Sequence, residues 1–222
     1  MGYQLDFGAL AQYFSLFLEG TAVTLGLTAV ASVFGFGFGV AGAAASRGSF
    51  RWLRWAVTGY VELIRNTPFI VQMFFIFFGL PTLGLRFSAL QAAALAMTIN
   101  LTAYAIEILR AGLAAVPNGQ REAAMGFGLR PVAIFALIVL PQALANVYPA
   151  LVGQITITML ESAVVSQIAV VDLTHVADFI QSRNFRSFET YLAITMIYLI
   201  LAVLLRRGLA LAGRHLFAGR RR

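Results

Sequence analysis

The sequence predicts an all-α integral membrane protein of about five transmembrane helices, on three observations. Of its 222 residues, 60% are hydrophobic and only 11% are charged, against about 25% charged in an ordinary soluble domain. The apolar residues fall in long runs of spanning length, and a helix needs about 20 such residues to cross a bilayer. The 16 basic residues are all Arg, and a five-span arrangement gathers them on one side, with only Arg86, Arg183 and Arg186 elsewhere. This positive-inside bias puts the amino terminus outside and the carboxyl terminus inside. The net charge of +7 is therefore an orientation signal for a bilayer and not a footprint for nucleic acid, with anionic headgroups as partners of the terminal arginines. The whole chain, 1–222, reads as one transmembrane domain with no room for a large soluble unit.

Each element follows in order. Residues 1 to about 15 lack basic residues before the apolar run and read as an external lead-in, not a cleavable signal. Span one covers about Gly20 to Ala45 and stops at Arg47. Its Gly35, Gly37, Gly39 and Gly42 put small residues at i and i+4, so that another helix can approach closely. Arg47 to Arg54, with Trp52 and Trp55 interleaved, reads as an interfacial amphipathic stretch. Span two runs from about Thr67 to Gly79 and closes at Leu80 and Pro81. Span three runs from about Phe87 to Ile106, and Glu107 and Arg110 then lead into a polar loop at about 110–141. Span four runs from about Tyr148 to Val171, and span five from about Tyr191 to Leu205.

Polar residues inside these spans need partners. Gln72 stands in an apolar run, where its amide must find a hydrogen bond. Glu62 with Arg65, and Glu107 with Arg110, have the spacing of ion pairs on one helical turn. His175 has Asp172 and Asp178 three residues to either side, but a metal site needs a further ligand, so this reads as a solvated external helix. No metal is expected, and the absence of Cys removes thiolate sites. The absence of Lys excludes the phosphate-binding loop ending in Gly-Lys-Ser or Gly-Lys-Thr, so the chain is not expected to be an enzyme that hydrolyses ATP by that route.

The polar loop carries the most specific pattern. Glu122, Ala123 and Ala124 are followed after three residues by Gly128, after nine more by Ile138, and then by Leu140 and Pro141. The alanines are strong helix formers with a thin surface, and Gly128 permits a positive φ where one short helix ends. This spacing resembles the cytoplasmic coupling loop of ABC importer permeases. Residues 60–81, with Arg65, Thr67, Pro68 and Gln72, and residues 103–124, with Tyr104, Glu107, Arg110, Gly112, Pro117, Gly119 and Gln120, resemble the subfamily that takes up polar amino acids.

The resemblance implies a type I ABC importer permease fold in the bacterial inner membrane. It implies that Glu122, Ala123, Ala124 and Gly128 couple to a separate ATPase dimer, which would bind ATP and Mg. It further implies a second permease subunit, identical or paralogous, and an extracytoplasmic solute-binding protein. No cofactor is expected in this chain.

Span four is unusually polar for a segment that crosses lipid. Gln154, Thr158, Glu161 and Ser162 lie at i, i+4, i+7 and i+8 and share one helical face. An intramembrane carboxylate costs about 2.5 to 3.5 kcal/mol on insertion scales, so Glu161 faces a cavity or a partner. The four residues are the candidate substrate pathway; a helix–helix hydrogen bond is the alternative for Glu161. Where the resembling polar amino-acid permeases have a Lys-Asp-Thr-Ser-Leu stretch, this chain reads Leu160, Glu161, Ser162, Ala163 and Val164, which leaves the charge of the substrate open. A permease for another small polar solute fits the coupling loop equally. A secondary carrier with Glu161 as its ion site is the alternative of a different class, and it calls for an inverted internal repeat that is not visible here.

Overall fold

The computed structural model describes residues 4–48 and 50–217, which are helical apart from short connections. A 3-10 turn, Phe7–Tyr13, leads without a break into α1, Phe14–Ala45. Then come α2, Arg51–Arg65, and α3, Phe69–Leu83, which meet at a bend of 108°. The remaining helices are α4, Ala89–Ala114, α5, Asn118–Gly126, α6, Pro131–Ile168, α7, Leu173–Asn184, and α8, Ser187–Leu216. Four of them, α1 with its lead-in, α4, α6 and α8, are long and apolar enough to cross a membrane, and the bent pair α2–α3, counted as one broken span, brings the number to five.

Helix α4 is the centre of the bundle. It opens with a capping box, in which the Ser88 hydroxyl accepts from the Gln91 N–H at 3.3 Å and the Gln91 side chain accepts from the Ser88 N–H at 3.0 Å. This satisfies two amides that the first turn leaves without partners. It runs well past Ile106, the end expected from hydropathy. Glu107 and Arg110 stay inside the helix because they pair with each other at 3.8 Å, and Arg65 of α2 adds a second contact to Glu107 at 3.7 Å. Arg65 also stacks over the Tyr104 ring. The expected Glu62–Arg65 pair does not form: Glu62 instead accepts from the Asn66 amide.

Glycines let α1 lie against α4. A Cβ on Gly35 would meet the Leu101 side chain at 3.0 Å, and one on Gly39 would meet the Ala105 Cβ at 2.7 Å. Gly37 faces open space and has no part in this contact. The core between them divides along the bundle. Leu27, Met97, Leu101 and Val165 pack its middle, while Leu109, Leu113, Ala124 and Val139 pack its arginine-rich end. Phe17, Leu173, Ile180 and Ile194 pack the opposite end.

Two prolines follow π turns: Pro81 lies in the last turn of α3, which ends at Leu83, whereas Pro141 lies inside α6, which continues. Proline has no N–H and its ring crowds the carbonyl four residues back. A π turn, Phe75–Gly79, lies just before Pro81, and a second, Ile134–Val139, lies just before Pro141. The wider π turn is one way for a helix to accommodate such a break. The chain therefore runs through Pro141, and span four begins at Pro131 instead of near Tyr148. The polar loop is correspondingly shorter than 110–141, since only 115–130 lies outside the two long helices.

At the end opposite the arginine-rich one, the segment about Asp172 is not the solvated helix expected. Asp172 is fully buried and caps α7 by accepting from the His175 N–H at 2.9 Å. It also accepts from the Tyr198 hydroxyl, and Asp178 accepts from the Tyr191 hydroxyl. No group of residues able to hold a metal occurs among the described residues. The lead-in is tied down there too. Arg186 contacts buried Glu189 at 3.0 Å and Asp6 at 3.6 Å, and the Asp6 N–H donates to Glu189.

Candidate functional site

Helix α5 is a nine-residue helix held at both ends. Pro117 precedes it in extended backbone, which a proline sets without loss of a needed N–H. At the far end the Gly128 N–H donates to the Met125 carbonyl at 2.9 Å, and the Leu129 N–H donates to the Ala124 carbonyl at 3.3 Å. With Gly128 at φ +76°, this is a Schellman motif, which satisfies carbonyls at the helix end. A glycine is favoured there because the left-handed conformation brings a Cβ too close to the following carbonyl.

The two alanines of the motif, about 100° apart on the helix, have different surroundings. Ala124 is 4% exposed and packs with Leu113, Ile134 and Val139 of this chain's own helices. Glu122 and Ala123 face outward, beside Met125 and Phe127, which are 57% and 87% exposed. The exposed alanine of the pair, Ala123, thus stands beside two large exposed apolar side chains that the spacing argument overlooked. A second tie was also overlooked: the Gln142 amide donates to the Gln120 side chain at 2.6 Å and to the Ile138 carbonyl at 2.9 Å. An amide following Pro141 in an apolar run carried the same signal as Gln72.

The surroundings of α5 are cationic. The Arg47 guanidinium donates to the Leu113 carbonyl at 3.0 Å, linking the end of α1 to the end of α4. Partial burial, then the nearby Arg121 and Arg110, holds Arg47 below the usual arginine value. Helix α5 is thus joined to α6 through the Ala124 contacts and the Gln120–Gln142 bond, and α1 and α4 meet at the same end.

Gln72 has the partners its position demanded. Its amide donates to the Ile64 carbonyl at 2.7 Å and to Thr67, and its oxygen accepts from Asn100 of α4 at 3.0 Å. It fastens the α2–α3 bend to the central helix.

The four candidate pathway residues do not share an environment. Gln154, Thr158 and Ser162 are 7%, 2% and 0% exposed, turned into the subunit. The Ser162 hydroxyl donates to the Met159 carbonyl at 2.7 Å, whereas buried Thr158 Oγ1 has no hydrogen-bond partner among the described residues. Glu161 is only half-buried and borders an exposed strip of α6 formed by Asn146, Ala150, Ile157 and Leu160. The i, i+4, i+7 arc is wide enough that its edge faces outward while its middle is covered.

The sequence pattern that defines the binding-protein-dependent transport system inner membrane component family matches residues 14–216. The probable glutamine ABC transporter permease protein GlnM of Bacillus subtilis (strain 168) is 35% identical, over 92% of this chain and 94% of its own. The arginine transport system permease protein ArtQ of the same organism is 32% identical, over 90% and 92%. A chain in the crystal structure of an amino acid ABC transporter with histidines is 37% identical, covers 96% of this chain and all of its own length, and superposes with a TM-score of 0.87. A chain of the inward-facing MetNI methionine ABC transporter, 21% identical with a TM-score of 0.78, shares the fold. The chain belongs to the family of binding-protein-dependent transport system inner membrane components.

Proposed function

We propose that this chain is the permease subunit of an ATP-driven importer for polar amino acids, lying in the bacterial inner membrane with its amino terminus outside. The observation that carries this reading is α5. It is capped at Gly128, anchored by Ala124 and tied to α6 through Gln142, while it presents Glu122 and Ala123 outward.

A partner ATPase dimer, holding ATP and Mg, would seat on that outward face. Its closure would pull α5, and α6 would follow through the Gln120–Gln142 bond and the Ala124 contact. A second permease, identical or paralogous, would pack on exposed faces of this one. The pathway would run along α6, with Glu161 at its surface and Gln154, Thr158 and Ser162 supporting that wall from behind. A solute-binding protein would deliver the amino acid to the outer face. Relatives named for glutamine and for arginine support an amino acid as the solute, and one half-buried carboxylate can accept from a neutral amide or pair with a cationic side chain.

The test is uptake of radiolabelled glutamine and arginine into proteoliposomes holding the complete importer, with and without ATP. Uptake should require ATP, and Glu122→Ala should abolish it. Glu161→Gln should change the arginine-to-glutamine ratio. Uptake by the permease alone without ATP would overturn the reading and favour an ion-coupled carrier.

A further inference from the structure

The described residues at the arginine-rich end hold few carboxylates. Glu62 is bonded to Asn66 and Glu107 to Arg65 and Arg110, which leaves Glu122 on the outward face of α5. Three arginines on α8 nevertheless converge on one cavity of about 540 Å³ between α6 and α8. They are Arg206, Arg207 and Arg214, and no carboxylate lies within ion-pair distance of any of them among the described residues. The other walls are apolar or small and include Pro149, Val152, Gly153 and Val203. The Tyr148 hydroxyl donates to the Leu209 carbonyl at 2.7 Å, which fixes the two helices beside the cavity.

Position along the helix gives the depth. Arg206 and Arg207 follow the first residue of α8, Ser187, by about 30 Å at 1.5 Å per residue, which is about the thickness of a bilayer's hydrocarbon core. They therefore stand near the level where a spanning helix meets headgroups, while Val152 and Val203 extend the wall toward the hydrocarbon. Cations over an apolar wall suit an amphiphile: the guanidiniums bind a phosphodiester through paired N–H donors, and the wall receives the first part of an acyl chain. A free anion would gain nothing from that wall. A second copy of this chain has no surplus of carboxylates to offer, with 9 Asp and Glu against 16 Arg.

We propose that the α6–α8 cavity is a binding site for an anionic phospholipid, with Arg206, Arg207 and Arg214 holding the headgroup and Val152 and Val203 the start of a chain. The site is independent of the ATPase face of α5.

The test is native mass spectrometry of the full-length chain in detergent, titrated with phosphatidylglycerol or with phosphatidylcholine of the same chains. Wild type should bind phosphatidylglycerol about a hundredfold more tightly, the scale expected of three arginines near a headgroup. The triple variant Arg206→Gln, Arg207→Gln, Arg214→Gln should lose that preference. A charge-matched control, Arg51→Gln, Arg54→Gln, Arg86→Gln, should keep it, and so should replacement of the three α8 arginines by Lys. Val203→Phe narrows the cavity without touching charge and should weaken phosphatidylglycerol binding as well. Equal binding of both lipids, or equal loss in the control, would overturn the proposal. Competition by millimolar inorganic phosphate would reduce the cavity to a simple anion site, and a change in dimer fraction without a change in lipid binding would make it a subunit interface; either overturns it.

Discussion

Replacing Gly128 by Ala isolates the backbone contribution to the end of α5. A Cβ at Gly128 would meet nothing within 4 Å, so no clash contributes and the whole effect comes from φ +76°. The left-handed conformation costs an L-residue roughly 1 to 2 kcal/mol. Gly126 is the natural control. It lies within α5, its Cβ would also meet nothing, and Ala in a helix is favoured over Gly by about 0.8 to 1 kcal/mol. Two substitutions of the same kind, two residues apart, should therefore act in opposite directions. The assay is amide hydrogen exchange of the purified chain in nanodiscs, read at Gly128 and Leu129, whose N–H groups donate to Met125 and Ala124. Their protection should fall about 5- to 30-fold in Gly128→Ala, the factor that 1 to 2 kcal/mol sets, and rise several-fold in Gly126→Ala. Unchanged protection in Gly128→Ala, or a shift in the same direction in both, would refute the argument.

Three further outcomes follow from the packing and the buried polar groups. Gly112→Ala would place a Cβ 2.8 Å from the Ala143 carbonyl oxygen, a backbone atom that cannot turn aside; thermal unfolding should report a loss of about 1 to 3 kcal/mol. Gln72→Ala leaves the Asn100 amide without its acceptor and should cost about 1 to 3 kcal/mol; spin-label distances across the 108° bend should broaden. Burial pushes the Asp172 carboxyl above its ordinary value of 3.8, against the N–H groups of His175 and Thr174 and the Tyr198 hydroxyl. Its charged form is thus the costlier one in the fold, so stability should increase as pH falls through the raised value and level off below 3.8. Asp172→Asn keeps the cap and should flatten that dependence.

Composition and apolar run length made the membrane class and the number of spans legible. The limits of the long helices were less so, for two physical reasons. Glu107 and Arg110 look like a boundary by hydropathy, yet their mutual pairing and the contact with Arg65 let α4 continue. Pro141 looks like a helix start, yet the π turn before it carries α6 through. Motif spacing located α5, but it could not tell which alanine turns inward, because that depends on where Val139 and Ile134 stand. Periodicity likewise placed Gln154, Thr158, Glu161 and Ser162 on one arc of α6, but burial along that arc is set by α4 and α8, which no local pattern describes. Gln72 was legible because a buried amide must be satisfied, and the same reasoning applied to Gln142 would have found the tie to α5.

The central claim is that the outward face of α5 is the seat of the ATPase, and the cysteine-free sequence allows a direct measurement by maleimide labelling of Ala123→Cys and Ala124→Cys. In the permease alone, Ala123→Cys should label quickly and Ala124→Cys slowly, following their exposed and buried positions. On assembly with the partner ATPase, Ala123→Cys should become protected. If Ala123→Cys stays equally reactive in a complex that still transports, the ATPase does not seat on this face and the account is contradicted.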